Sequence, residues 1–172
     1  MLDKIELGTR RFIVWIAVAV VVVLVDQVTK WAIIQYIPLY GKAGTYDLIK
    51  LTHQQNYGAA WSFLANAGGW QRWFFAVLAA GVSAVLAVWL WRIRNEGPII
   101  LVAGLSLVLG GAVGNLIDRV IRGYVTDFIQ VTFHGVPFFD PFPSFNVADS
   151  AITVGAACLI IDALFFSGKT ES

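Results

Sequence analysis

The chain carries a single cysteine, Cys158, so it cannot close an internal disulfide, and only two histidines, His53 and His134. One thiol does not by itself build a metal site. Cys158 lies in the apolar stretch 156–160 and reads as a small packing residue. Charge is also scarce: 13% of the 172 residues are Asp, Glu, Lys or Arg, against about 25% in a typical soluble domain. The net charge of +1 leaves no basic footprint for nucleic acid. No H-E-x-x-H and no G-x-S-x-G occurs, so neither a zincin site nor a hydrolase nucleophile elbow has support.

Apolar residues fill the space that charge leaves. They make up 58% of the chain, and the mean hydropathy is +0.73. Four apolar runs emerge, at about 12–34, 70–91, 99–121 and 146–166. Each is near the roughly 20 residues that cross about 30 Å of hydrocarbon, where every backbone polar group needs an internal partner. The reading is one all-α membrane domain over residues 1–172 with four transmembrane helices, in contact with membrane lipids. The first run follows Arg10 and Arg11 as a signal peptide would, but continues into Asp26 and Lys30 without a small-x-small cleavage site, so it reads as a retained helix.

The second run is bracketed by Trp70 and Trp73 at one end and Trp89 and Trp91 at the other, as amphipathic rings at two interfaces would be. Arg72 and Arg92 beside them are placed to snorkel outward. In the third run Gly110 and Gly114 have the small-xxx-small spacing that lets helices approach closely. Residues 94–98 join the second and third runs in a tight hairpin. The first connection, about 35–69, alternates Tyr36, Leu39, Tyr46, Leu48, Ile49 and Leu51 with polar residues, which allows a short strand or two as a surface element outside the cytoplasm. The third, about 122–145, holds Pro137, Pro141 and Pro143 and reads as extended and ordered near the interface.

Four spans put both termini on one side, with Lys4, Arg10, Arg11, Arg92, Arg94 and Lys169. Opposite lie Lys30, Lys42, Lys50, Arg72, Arg119 and Arg122. Setting aside Lys30 and Arg119, which sit in polar clusters, leaves six cations against four and favours termini in the cytoplasm.

Charged residues in or near hydrocarbon are expensive, so each polar cluster is a functional hypothesis. Asp26 and Lys30 are four apart and share a helix face; a structural ion pair and the orienting of a catalytic group both suit them. Asn115, Asp118 and Arg119 are at helical spacing, and Asp118 with Arg119 also suits a structural ion pair. Asp127 follows Gly123, which ends the third helix, and stands among apolar residues that should raise its pKa. Asn146 and Asp149 open the fourth helix, where such residues also serve as caps. Because the third helix runs out and the fourth runs back, Asp127 and Asp149 come to the same depth. Two close carboxylates share a proton; one activates a water and the other donates to the scissile carbonyl. This is aspartyl-protease chemistry and needs no metal or other cofactor, no thiol and no serine. Asp162, deep in the fourth run, reads as an interface or packing residue.

Taken together, Asp26-x-x-x-Lys30, Asn56-Tyr57-Gly58-Ala59-Ala60, Asn115-x-x-Asp118-Arg119, Val125-x-Asp127-Phe128 and Phe145-Asn146-x-Ala148-Asp149 resemble the lipoprotein signal peptidases, or signal peptidase II, over nearly the whole chain. The resemblance implies a membrane aspartyl endopeptidase of the bacterial inner membrane with Asp127 and Asp149 as its catalytic pair and the site near the outer face. It implies that Asn56, Gly58, Asn115, Arg119 and Asn146 line and brace the site, with Asp26, Lys30, Asp118 and Ala148 at matching motif positions. The implied substrate is a diacylglyceryl-modified prolipoprotein cut just before its lipidated cysteine, and a globomycin-type cyclic peptide is the implied inhibitor. Trp61 stands where the family more often has Phe. The stretch 138–143 is longer and richer in proline than usual, which makes Asp140 a decoy acid lacking the family context.

Rival readings fit less well. A presenilin-type protease would need a Gly-x-Gly-Asp pattern, which is missing. A proton-coupled carrier would suit the membrane acids, but there is no repeat symmetry or broken helix. A purely structural bundle leaves three polar clusters at one membrane face unexplained.

Overall fold

A computed structural model of the chain describes residues 2–44, 48–58, 68–136, 140 and 142–166. Tyr46, Ala59, Ala60, Trp61, Pro137, Phe138, Phe139, Pro141 and Lys169 lie outside the described residues, as does the side chain of Lys4. The elements run α1 (Leu2–Tyr36), β1 (Lys42–Ala43), β2 (Ile49–Asn56), α2 (Trp70–Arg92), α3 (Ile99–Ile121), β3 (Val125–Val131) and α4 (Val147–Phe165).

All four helices are long and apolar enough to cross a membrane. Three match the apolar runs to within a residue. The exception is α1, which begins at Leu2 rather than near residue 12. Hydropathy ends with the apolar run, but helical hydrogen bonding does not. Glu6 and Arg10 pair one turn apart at 2.6 Å, and Arg11 donates to the carbonyl of Gly97 in the α2–α3 hairpin.

The most buried of the four helices is α3, which packs against α1, α2 and α4. Its glycines explain this. A Cβ on Gly110 would fall 2.7 Å from the Ala19 carbonyl oxygen of α1. On the other face Gly104 meets the carbonyl of Gly155, and Gly111 meets the carbonyl of Ala148, both in α4. With no side chain in the way, backbone lies against backbone, the arrangement by which small residues drive helix association in lipid. Leu86, Leu90, Leu105 and Leu109 form the apolar core beside this contact.

The strands form one antiparallel sheet in the order β1-β2-β3. The first connection supplies two strands, as its alternation suggests. The third connection supplies the third, which the aromatic and proline content of residues 122–145 hides. Register places Asp127 opposite Gln54 and Val125 opposite Asn56, with an irregularity between Leu51 and Gln54. Phe145 bridges to Ile129, so the chain leaving β3 returns along it before α4 starts.

Candidate active site

Two turns deliver the acids. At the end of α3, Gly123 takes φ 87° and its N–H donates to the Asp118 carbonyl at 3.1 Å; a glycine is favoured there because φ is left-handed. The chain then enters β3, which carries Asp127 two residues after its start. At the start of α4, Asn146 is extended and accepts from the Asp149 N–H at 2.9 Å, while the Asp149 carboxylate accepts from the Asn146 N–H at 3.2 Å. This reciprocal capping box fixes the Asp149 side chain at the mouth of the helix. The capping reading and the functional reading of Asp149 are therefore compatible.

Both carboxylates converge on Asn146, which is fully buried. Its Nδ2 donates to Asp127 Oδ1 at 2.8 Å, while its backbone N–H holds Asp149. Asp127 Oδ2 accepts from Asn56 Nδ2 at 3.0 Å, across the β2–β3 pairing. Asp149 Oδ1 accepts from Asn115 Nδ2 at 2.8 Å. Three asparagine side chains from three elements thus aim at the two acids. Burial pushes the Asp127 carboxyl up to about 7, and the negative charge of Asp149 adds to the rise. Hydrogen bonds from Asn56 and Asn146 and the charge of Lys30 act the other way.

Beneath the pair lies a buried ionic cluster. Lys30 Nζ is 2.8 Å from Asp26, 3.1 Å from Asp118 and 2.9 Å from Asn115 Oδ1, and all three charged side chains are fully buried. Asp26 also accepts the Ala148 N–H at 2.9 Å, and Asp118 accepts the Thr126 N–H at 2.9 Å. The cluster therefore ties α1 and α3 to the first turn of α4 and the start of β3. Ala148 is fully buried, its Cβ 3.3 Å from where one on Gly114 would fall.

Asp118 does not pair with Arg119. Adjacent helical residues point about 100° apart, and Asp118 turns to Lys30 and Arg122. Arg119 turns away and donates to the Gly58 carbonyl at 3.2 Å, and its guanidinium lies 5.4 Å from the Phe75 ring centroid. Gly58 in turn donates its N–H to Asn56 Oδ1 at 3.0 Å. Nor does Arg72 snorkel outward. It folds back onto α3 and donates to the carbonyls of Arg119 and Val120.

All eleven predicted site residues are described, and every one belongs to this network. Asp140 is exposed and Asp162 is buried at the far end of α4. His53 Nδ1 is bonded to the Ile37 carbonyl at 2.8 Å, and His134 is exposed. Among the described residues no three of His, Cys, Asp and Glu group as metal ligands would. Sequence reasoning missed Gln27, whose Nε2 donates to Asp26, Asp118 and the Gly114 carbonyl and whose Oε1 accepts from Arg122. Its signal was a polar side chain inside an apolar run, between Asp26 and Lys30.

Residues 18–165 match the family described as signal peptidase (SPase) II. The chain belongs to that family. It is 49% identical over 157 residues to the lipoprotein signal peptidase of Pseudomonas syringae pv. tomato, covering 91% of this chain and 88% of that one. Identity to the lipoprotein signal peptidase of Shewanella baltica strain OS155 is 44% over 161 residues, covering 92% and 89%. A solved bacterial membrane enzyme superposes with a TM-score of 0.77 at 34% identity, covering 92% of this chain and 93% of that one. A second such structure gives 0.75 at 32% identity, covering 90% and 94%. As a signal peptidase II family member the chain is a peptidase, and its four spans make it a multi-pass membrane protein.

Proposed function

We propose that Asp127 and Asp149 are the catalytic pair of an aspartyl endopeptidase that removes the signal peptide from diacylglyceryl-modified prolipoproteins, cutting just before the lipidated cysteine. The observation that carries this reading is the convergence of two acids from different elements on Asn146, whose side chain donates to Asp127 and whose backbone N–H donates to Asp149. Family membership supports the substrate class.

In this reading the pair shares one proton, and we place it on Asp127, whose carboxyl is pushed up to about 7 by burial and the charge of Asp149. Asp149, held by Asn115 and the Asn146 N–H, is the base. It takes a proton from a water, whose oxygen bonds to the scissile carbonyl carbon while Asp127 gives its proton to the carbonyl oxygen. Collapse of the tetrahedral intermediate returns a proton to Asp127 from the forming carboxyl group. The C–N bond breaks, and the proton from Asp149 passes to the amine of the lipidated cysteine. Asn56 and Asn146 orient the acid, Asn115 orients the base, and Arg119 braces the Gly58 turn. Asp26, Lys30, Asp118 and Ala148 hold the floor beneath them.

The whole chain, 1–172, acts as one membrane-embedded domain. It sits in the bacterial inner membrane with both termini cytoplasmic and the dyad near the outer face, where a diacylated precursor presents its cleavage site. A globomycin-type peptide competes for the dyad. The test is incubation of the purified chain with a prolipoprotein in diacylglyceryl-modified and unmodified forms, with the new N-terminus read by mass spectrometry. Cleavage before the cysteine of the modified form alone, blocked by globomycin, is expected. Equal cleavage of both forms overturns the substrate assignment.

A further inference from the structure

The last four carbonyls of an α-helix have no partner within it. At the end of α3 two of these, Arg119 O and Val120 O, are taken by a residue of another helix. Arg72 Nε donates to the first at 2.7 Å and Nη2 to the second at 2.6 Å. Its guanidinium also lies 4.8 Å from the Trp73 ring centroid and within 3.4 Å of where a Cβ on Gly123 would fall. One α2 side chain therefore grips the whole turn that leads from α3 into β3.

That turn matters because of what it carries. Arg119 has its carbonyl held by Arg72 and its guanidinium held by the Gly58 carbonyl at 3.2 Å and the Asn115 carbonyl at 3.4 Å. Phe75, one turn along α2 from Arg72, lies beneath the same guanidinium. The positive charge so placed acts on Asp149, Asp127 and Asp118. The other charged groups around the pair are Lys30 and Asp26 of α1, and their ion pair involves no atom of Arg72.

We propose that Arg72 is a positioning residue for the peptidase reaction: by capping α3 it fixes the backbone from which Arg119 reaches over the dyad and the Gly58 turn. The proposal rests on the reading of Asp127 and Asp149 as the catalytic pair. Arg72 touches neither acid, so its effect passes through Arg119. A planar guanidinium can serve two adjacent carbonyls at once, whereas an ammonium on a flexible stem meets that geometry only in part.

The test uses the full-length chain in detergent micelles and a diacylglyceryl-modified prolipoprotein peptide, with kcat, KM and the pH profile measured for wild type, R72Q, R72K and R92Q. Arg92 lies exposed at the other end of α2, so R92Q controls for loss of a cation at an interface. Expected for R72Q is a fall of 10-fold or more in kcat with KM changed less than threefold, because the turn orients the reacting groups. Displacing a cation from a carboxylate pair makes the charged form harder to hold, so the acid limb of the profile should move to higher pH. R72K should recover part of both effects, and R92Q should match wild type. An unmoved acid limb in R72Q, with activity tracking only the folded fraction, overturns the proposal and makes Arg72 a structural cap. So does wild-type kcat in R72Q. Asp127→Asn and Asp149→Asn run alongside: if both are inactive and R72Q is normal, the Arg72 proposal alone fails. If either retains activity, the dyad reading falls and the proposal with it.

Discussion

Lys30 and Asp149 are joined through one amide: Asn115 accepts from Lys30 Nζ at 2.9 Å on its oxygen and donates to Asp149 Oδ1 at 2.8 Å from its nitrogen. The ammonium of α1 thereby settles which way the Asn115 amide points, and the amide fixes one oxygen of an acid in α4. Asn115→Leu removes both contacts. A misplacement of about 1 Å near reacting groups can lower a rate by about 100-fold, and a loss of that order in kcat is expected. Asn115→Asp keeps the Lys30 contact but turns an acceptor toward Asp149, so it should lose at least as much. Initial rates on a lipidated prolipoprotein, normalised to folded protein, check this; near-normal activity in Asn115→Asp would show that the donor is dispensable.

Lys30 itself should be mainly a stability residue. It compensates Asp26 and Asp118 where no water reaches any of the three side chains. Removing one partner of a buried ionic cluster costs about 3–5 kcal/mol, and Lys30→Met is expected to fall in that range. Because Asp26 and Lys30 touch, Asp26→Asn together with Lys30→Met should cost less than the sum of the single changes. Equilibrium unfolding in mixed micelles reads both quantities, and strict additivity would speak against the contact.

The helix contact that carries Asp149 depends on small residues. A Cβ on Gly111 would run into the Ala148 carbonyl and lie 2.7 Å from the Ile152 side chain. Gly111→Ala should cost about 1–3 kcal/mol by overpacking and lower activity, since Ala148 precedes Asp149 directly. Gly81 in α2 has nothing within 4 Å of a built Cβ, so Gly81→Ala should be neutral or stabilising by up to about 1 kcal/mol. Thermal stability of the two variants compares them directly, and an equal loss in both would remove the packing explanation.

These contacts also mark how far the sequence could be read. Four apolar runs were legible because membrane helices must be long and apolar, and the cap at Asn146 was legible because capping is local. Gly123 as a helix stop was legible for the same reason. By contrast, β3 pairs with residues 69 to 82 positions earlier, a relation that its own residues, Val125–Val131, do not display. The inward turn of Arg72 depends on carbonyls 47 and 48 residues away, so the interfacial position of the side chain suggested an outward one. The partners of Asp118 were obscured in the same way: its neighbour Arg119 is adjacent in sequence, while Lys30 comes from another helix.

The proton on Asp127 makes a signed prediction for pH. With a carboxyl titrating at about 7, the proton-donating form is lost as pH rises through that value, so kcat/KM should fall on the alkaline side. The Asn56 hydrogen bond lowers that pKa. Asn56→Ala should therefore raise it and move the alkaline limb to higher pH. Stability has its own sign. The folded state holds the Asp127 proton more tightly than the unfolded chain does, so stability falls from about pH 4 to 7 and is level above. Asp127→Asn should lack that fall. A pH profile of Asn56→Ala with the limb unmoved or moved to lower pH would contradict the assignment.

The most direct test of the account compares wild type, Asp127→Asn and Asp149→Asn on one diacylglyceryl-modified prolipoprotein, with folding of each checked by size-exclusion chromatography and thermal melting. Wild type is expected to cut before the lipidated cysteine, and each variant to fold, bind the precursor and leave it uncut. Near-normal cleavage by either folded variant would contradict the account and remove that aspartate from the reaction.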